Sequence, residues 1–198
     1  MARAEEKTST ALEPAAPPWL RVAFAVLAIA ALGGPLVAEA SAWLAPREVP
    51  IPSALDGETL DRPAKAFTLD DMSGNPVRLA DYRGKTVFLN FWATWCPPCV
   101  QELPSLVALD KAMRGRDFVV LAVSEDDSKD DVRKFFGGMM PDFPVLMDQD
   151  QRVTRSYGTF KYPETYVIDG DGRIRAKFIG GRQWDAPASI AWFDRMTD

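Results

Sequence analysis

Residues 91–99 read Phe91-Trp92-Ala93-Thr94-Trp95-Cys96-Pro97-Pro98-Cys99, and they decide the fold because one periodicity gives way to another across them. On the N-terminal side Thr86-Val87-Phe88-Leu89-Asn90-Phe91 is an almost continuous apolar run, as expected of a central strand covered on both faces. On the C-terminal side Val100, Leu103, Leu106, Val107 and Ala108 recur at helical spacing, and Pro104 is expected to bend that helix. A Cys-x-x-Cys pair at a strand-to-helix junction within a βαβ pattern is the signature of a redox dithiol.

The spacing carries the chemistry. Residues three apart at a helix start have Cβ atoms roughly 5–6 Å apart, close enough to form a disulfide after a small adjustment. The first sulfur lies at the helix N-terminus, where free N–H groups and the dipole favour thiolate, so Cys96 is expected to attack and Cys99 to resolve. Pro97 and Pro98 suit the first helical turn but bring no N–H. The Cys96 thiolate is then less stabilised than in a strongly oxidising dithiol, which tilts the reading toward a reductant. A static structural bridge is the bland alternative, but a loop with two intervening residues removes little entropy from the unfolded chain.

Working outward, residues 67–69 and 77–79 flank a Gly- and Asn-containing turn and predict a β-hairpin. Residues 118–123 predict a second buried strand, and 128–136 a helix with Asp130 and Asp131 in its first turn and Gly137-Gly138 as its stop. Residues 143–147 form a short apolar run, and 153–157 a short helix. Residues 165–168 and 174–179 form a hairpin around Asp169-Gly170-Asp171-Gly172, and 186–196 a closing amphipathic helix. The order ββ, βαβα, ββα predicts an α/β layered domain with a mixed sheet, parallel in its first half and antiparallel at one edge.

The 198 residues include 28 acidic and 23 basic side chains, net −5, with two cysteines and no histidine. Hydrolases built on Ser-His-Asp or Cys-His are therefore excluded, as are His-ligated metal or haem sites and four-cysteine zinc or iron–sulfur sites. Neither a metal nor a cofactor is expected, and the acidic balance argues against nucleic acid. Glu125-Asp126-Asp127 with Asp130-Asp131 reads as a solvated helix entry rather than a metal loop.

Residues 22–38 are seventeen consecutive uncharged residues, followed by a weaker apolar stretch to Leu44. As a transmembrane helix the span from Trp19 to Trp43 would be roughly 36 Å and place a Trp near each interface. As a cleaved signal, the apolar run precedes Gly33-Gly34-Pro35 and the small-x-small site Ala38-Glu39-Ala40. Expected domains are a cytoplasmic tail over 1–21, an anchor or signal over 22–44, a Pro-rich tether over 45–63 and the α/β domain over 64–198. An ordered leader strand packed on the domain is the alternative to the tether.

Residues 90–99, followed by Glu102-Leu103-Pro104, resemble the membrane-anchored thioredoxin-like reductases of the TlpA/ResA type, in the AhpC/TSA-Redoxin-like superfamily. Phe67-Thr68-Leu69, Gly74, Leu79, Gly84-Lys85, Tyr157-Gly158, Pro163-Glu164-Thr165 and Val167-Ile168-Asp169 extend the resemblance from about Ala64 to the C-terminus. It implies a thioredoxin-like fold with an added N-terminal β-hairpin, and thiol–disulfide exchange on the exported side of a bacterial membrane. It also implies that Pro163 is a cis-proline beside the cysteines that holds extended substrate, and that Glu102 is a carboxylate near the site. Such a carboxylate, when half-buried, has a raised pKa and can take the proton of Cys99; the bland reading of Glu102 is an exposed first-turn acid. Thioredoxin's strand aspartate is replaced here by Asn90, which cannot titrate. Trp95 is expected to line the substrate groove with Pro97 beside it, and Trp92 to be core. The segment Thr159-Phe160-Lys161-Tyr162 departs from the family, and the bulk of Tyr162 narrows substrate choice.

The expected function is an exported protein-disulfide reductase whose partners are disulfide-containing exported proteins, apocytochrome c or copper-site proteins among them, recharged by a membrane electron donor. The catalytic domain would lie in the periplasm, tethered to the cytoplasmic membrane or soluble after signal cleavage. Rivals are a dithiol oxidase, a peroxiredoxin-type peroxidase, against which Thr94-Trp95-Cys96 is one residue short of T-x-x-C, and a non-catalytic binding module.

Overall fold

The computed structural model describes residues 49–197. The apolar stretch expected to anchor or export the chain lies outside them, and no described helix is long and apolar enough to cross a membrane.

The apolar run before the cysteines is a strand, β4 (Thr86–Trp92), in which every residue is buried. Alternation explains how one strand fills two cores. Val87, Leu89 and Phe91 point into one layer with Leu121, Val123, Tyr157 and Tyr166. Phe88 and Trp92 point into the other, with Leu106, Leu109, Phe178, Trp184, Trp192 and Phe193. Burying a side chain of this size is worth roughly 1.5–3 kcal/mol. Edge-on contacts such as Phe88 on Trp184, at 4.8 Å between ring centroids, orient the aromatic layer.

Around β4 the chain forms β1 (Glu58–Pro63), the hairpin β2 (Thr68–Asp71) and β3 (Pro76–Arg78), helix α1 (Pro97–Ala112), β5 (Phe118–Ser124) and α2 (Lys129–Phe136). It continues with β6 (Val145–Met147), α3 (Arg152–Tyr157), the hairpin β7 (Glu164–Ile168) and β8 (Arg173–Ile179), and α4 (Pro187–Met196). Ser128 caps α2, its hydroxyl accepting the Asp131 N–H, and Gly137 closes that helix in a left-handed conformation. Residues of α1, α2 and α4 enter the core that holds Phe88, whereas Val153 and Tyr157 of α3 enter the opposite one.

The strands form one sheet in the order β1-β8-β7-β4-β5-β6-β2-β3. The core β4-β5-β6 is parallel. Antiparallel strands flank it on both sides, not at one edge as expected, because the hairpin β2-β3 docks on β6 while β7 pairs with β4. Residues 143–147 supply the short strand β6.

The expected tether is a second correction. From Val49 on, residues assigned to it belong to the domain: β1 pairs antiparallel with β8, Leu55 is buried, and the Trp192 indole donates to the Val49 carbonyl at 3.2 Å. The leader-strand alternative describes these residues.

Candidate active site

Buried β4 ends at Trp92, and the turn that follows delivers Cys96 to the start of α1. Cys96 is the N-cap of that helix with Pro97 and Pro98 opening its first turn, the position at which a missing N–H costs nothing. The Cys96 sulfur accepts the Cys99 N–H at 3.3 Å, and the two intervening prolines have no N–H to add. Cys96 and Cys99 form a disulfide with Cα atoms 5.3 Å apart, so this is the oxidised form. Both cysteines are nearly buried, while Pro97, Pro98 and Trp95 are exposed around them.

Two further segments pack against the residues that flank the pair. The Tyr162–Pro163 peptide bond is cis, and the Pro163 carbonyl accepts the Gly180 N–H at 2.8 Å. The Tyr162 ring stands edge-on to Trp95 with centroids 5.8 Å apart. After β8 the chain crosses the start of α1 at Gly181, where a Cβ would lie 3.0 Å from the Pro98 carbonyl oxygen, a contact that only glycine avoids.

Glu102 lies one turn after Cys99, on the same face of α1. It is not half-buried or exposed but 3 % accessible. Its Oε1 accepts the Asn90 amide N–H at 3.0 Å; its Oε2 accepts the Arg182 backbone N–H at 3.2 Å and the Trp184 indole N–H at 2.9 Å. Burial pushes the carboxyl up to about 7, against the pull of these three donors and the more distant Arg182 charge. Asn90 also donates to Thr165 at 3.0 Å, tying β4, α1 and β7 together at the site.

Residues that the sequence reading set aside also belong here. Glu125 and Asp126, read as part of a solvated helix entry, are 2 % accessible because the α3 and cis-proline segments close over the end of β5. Asp126 accepts the Thr94 N–H at 3.1 Å and the Thr94 hydroxyl at 2.6 Å, and so holds the turn that carries Trp95. Glu125 Oε1 is hydrogen-bonded with the Thr154 hydroxyl, and Oε2 accepts the Tyr162 hydroxyl at 3.3 Å. Burial, with nearby Asp148 adding to it, raises Glu125 to about 7 against the opposing Thr154 hydrogen bond. Arg182 and Trp184, which complete the Glu102 pocket, carried no sequence signal because they lie eighty residues away. Among the described residues no cluster of three His, Cys, Asp or Glu is placed to hold a metal ion.

Comparison with known proteins gives the same chemistry. The chain is 40 % identical over 118 residues to the thiol-disulfide oxidoreductase ResA of Geobacillus thermodenitrificans, covering 60 % of this chain and 67 % of the relative. It is 36 % identical over 111 residues to ResA of Bacillus subtilis, covering 56 % and 62 %. Among solved structures, a Chlorobium tepidum protein assigned as a thiol:disulfide interchange protein, DsbE, superposes with a TM-score of 0.65 at 29 % identity, over 71 % of this chain and 99 % of its own. The thioredoxin domain of a Bacteroides vulgatus thiol-disulfide oxidoreductase gives 0.60 at 27 % identity, over 69 % and 96 %. The fold is thus thioredoxin-like. With residues 60–177 matching the family model, a dithiol at the start of α1 and relatives that share its activity by name, the chain belongs to the AhpC/TSA family as a thiol-disulfide oxidoreductase of the ResA type.

Proposed function

We propose that this enzyme works as a reductant of disulfides in exported partner proteins, tethered to the cytoplasmic membrane through residues 22–44 with its catalytic domain on the periplasmic side. The carrying observation is a helix start at Cys96 whose two prolines bring no N–H, paired with the Glu102 carboxyl buried one turn behind Cys99 and raised to about 7, which supports a proton-accepting role. The Cys96 thiolate attacks one sulfur of the partner disulfide; a mixed disulfide forms and the partner's other sulfur leaves as thiolate. The Cys99 thiol then gives its proton toward Glu102 and attacks the Cys96 sulfur, releasing the second partner thiolate. Two electrons have passed to the partner, and Cys96–Cys99 is the disulfide described above. A carboxyl titrating near 7 is close to half ionised at neutral pH, so it can both accept this proton and return it.

Pro163 has no N–H and its carbonyl is engaged by Gly180, so strand-like pairing with extended substrate falls to the Tyr162 backbone, with Trp95 and Pro97 flanking the sulfur. The family resemblance favours apocytochrome c or copper-site dithiols as substrates and a membrane dithiol conduit as electron donor. The uncharged run over 22–38 supports the tether, with signal cleavage as its alternative.

Two measurements test this. The Cys96–Cys99 couple is expected near the potential of thioredoxin, about −270 mV; a value near −120 mV, that of a strong oxidant, would sink the reductant reading. In the native membrane Cys99→Ser should trap mixed disulfides on Cys96, and the captured proteins name the substrates.

A further inference from the structure

Glu125 and Asp126 follow β5 directly, and consecutive side chains at a strand end point in opposite directions. One reaches Tyr162 and the other Thr94, so adjacent residues hold the two segments that flank Cys96. The Asp126 side is fixed by four bonds, from the Thr94 N–H and hydroxyl, the Ser124 hydroxyl at 2.7 Å and, to that hydroxyl in turn, the Asp126 N–H at 3.1 Å.

The Glu125 side is less ordinary. The Thr154 hydroxyl lies within hydrogen-bond reach of Glu125 Oε1 and of Asp148 Oδ2, the latter at 2.8 Å. One hydroxyl proton cannot serve two carboxylates. Asp148 also receives the backbone N–H groups of Val153 and Thr154, at 3.1 and 2.8 Å, whereas Glu125 receives hydroxyls alone. The extra proton therefore belongs on Glu125 Oε1, donated to Thr154, which donates onward to Asp148. Glu125 Oε2 is then left as the acceptor for the Tyr162 phenol. Burial raises the phenol above the ordinary tyrosine range, so it stays a donor.

We propose that Glu125 is a positioning residue that fixes the Tyr162 ring against Trp95, and that this aromatic wall makes the dithiol selective for extended disulfide segments whose cysteines are flanked by small residues. Trp95 is 61 % accessible, so the Tyr162 contact is what restrains its ring on this side. A substrate paired along the Tyr162 backbone passes beside the Trp95–Tyr162 ring pair, and a bulky neighbour of the attacked cysteine meets those rings rather than the phenol hydroxyl, which is turned inward to Glu125. The inference rests on Cys96 exchange and deepens the reading above by assigning its substrate class.

The test uses two disulfide-cyclised peptides, identical except that each cysteine is preceded by glycine in one and by tryptophan in the other. The wild-type enzyme is expected to favour the glycine peptide by about tenfold in kcat/KM, a pocket-scale discrimination. Tyr162→Ala should abolish the preference. Tyr162→Phe and Glu125→Ala should each reduce it to about threefold, chiefly through KM, and the double variant should go no lower, since both break one contact. Glu125→Gln, which keeps an amide oxygen for the phenol, should restore the preference. Equal wild-type rates for the two peptides, a Tyr162→Phe preference equal to wild type, or effects that multiply in the double variant would each overturn the proposal. If Glu125→Ala does not fold, the Tyr162→Phe result alone decides. The preference can be read in either direction of exchange, so an oxidising potential, which would defeat the reductant reading, leaves this test intact.

Discussion

Glu102, one turn after Cys99, and Glu125, bonded to the Tyr162 that stands against Trp95, are both buried and both raised to about 7, yet their pockets are opposites. Every partner of Glu102 is an N–H group, which can only donate: an amide, a backbone N–H and an indole. Those of Glu125 are hydroxyls, which can donate or accept. The Glu102 pocket is thus built for the anion, and burial alone drives the proton back on. A proton that arrives from Cys99 finds no acceptor among these partners and is readily passed on. The Glu125 pocket can turn its hydroxyls to suit either form and has no N–H locking it to the charge. Equal proton affinity therefore conceals different uses, one a transit point and the other an anchor.

The largest effect that should separate the two is on rate. Glu102→Gln removes the proton acceptor beside Cys99, and its NH2 faces an N–H donor whichever way the amide turns. Resolution of the mixed disulfide is expected to slow by about 100-fold at neutral pH, the lower end of the range for general base loss. Glu125→Gln should cost less than about threefold toward a small disulfide. Rapid-mixing measurement of mixed-disulfide decay checks both, and equal losses would erase the distinction.

The second effect is on stability. The folded-state pKa of Glu102 lies above its unfolded value, so between about pH 4.5 and 7 the native state binds more protons than the unfolded one. Stability linked to this group is fully present below about pH 4.5 and is lost as pH rises through about 7, on the order of 3 kcal/mol. Denaturant melts at pH 4.5 and 8 should show this fall in wild type and a clearly smaller one in Glu102→Gln. An unchanged slope would mean that the carboxyl is not held protonated by the fold.

These pockets also mark where sequence reading stops. β4, α1 and the Cys96–Cys99 pair were legible because each is written in local periodicity or spacing. β1 was not, because its residues are mostly exposed and its attachment to β8 is made by main-chain bonds that leave no apolar pattern. Glu102 was legible as a candidate by resemblance, but its burial depends on Arg182 and Trp184, brought in from beyond β8. Glu125 and Asp126 were misread for the same reason. A run of charges looks solvated until Thr94, Thr154 and Tyr162, from three separate segments, close over it. Polar pockets assembled by long-range contacts have no period to read.

The smallest effect probes one bond of the Glu102 pocket. Trp184 is fully buried, edge-on to Phe88 and Phe178, and its indole N–H is one of two donors to Oε2. Trp184→Phe keeps an aromatic ring in that layer and removes the donor. The carboxylate loses stabilisation while the neutral acid does not, so the Glu102 pKa must rise above 7. A smaller fraction is then ionised at neutral pH, and the rising limb of the exchange rate should move to higher pH by under one unit, with the rate at pH 7 falling only a few-fold. Tyr162→Phe, which removes a donor from Glu125 instead, should leave that limb where it is. If the two variants moved it equally, the proton released by Cys99 would be shared between the carboxyls, and the assignment of one to chemistry and one to architecture would fail.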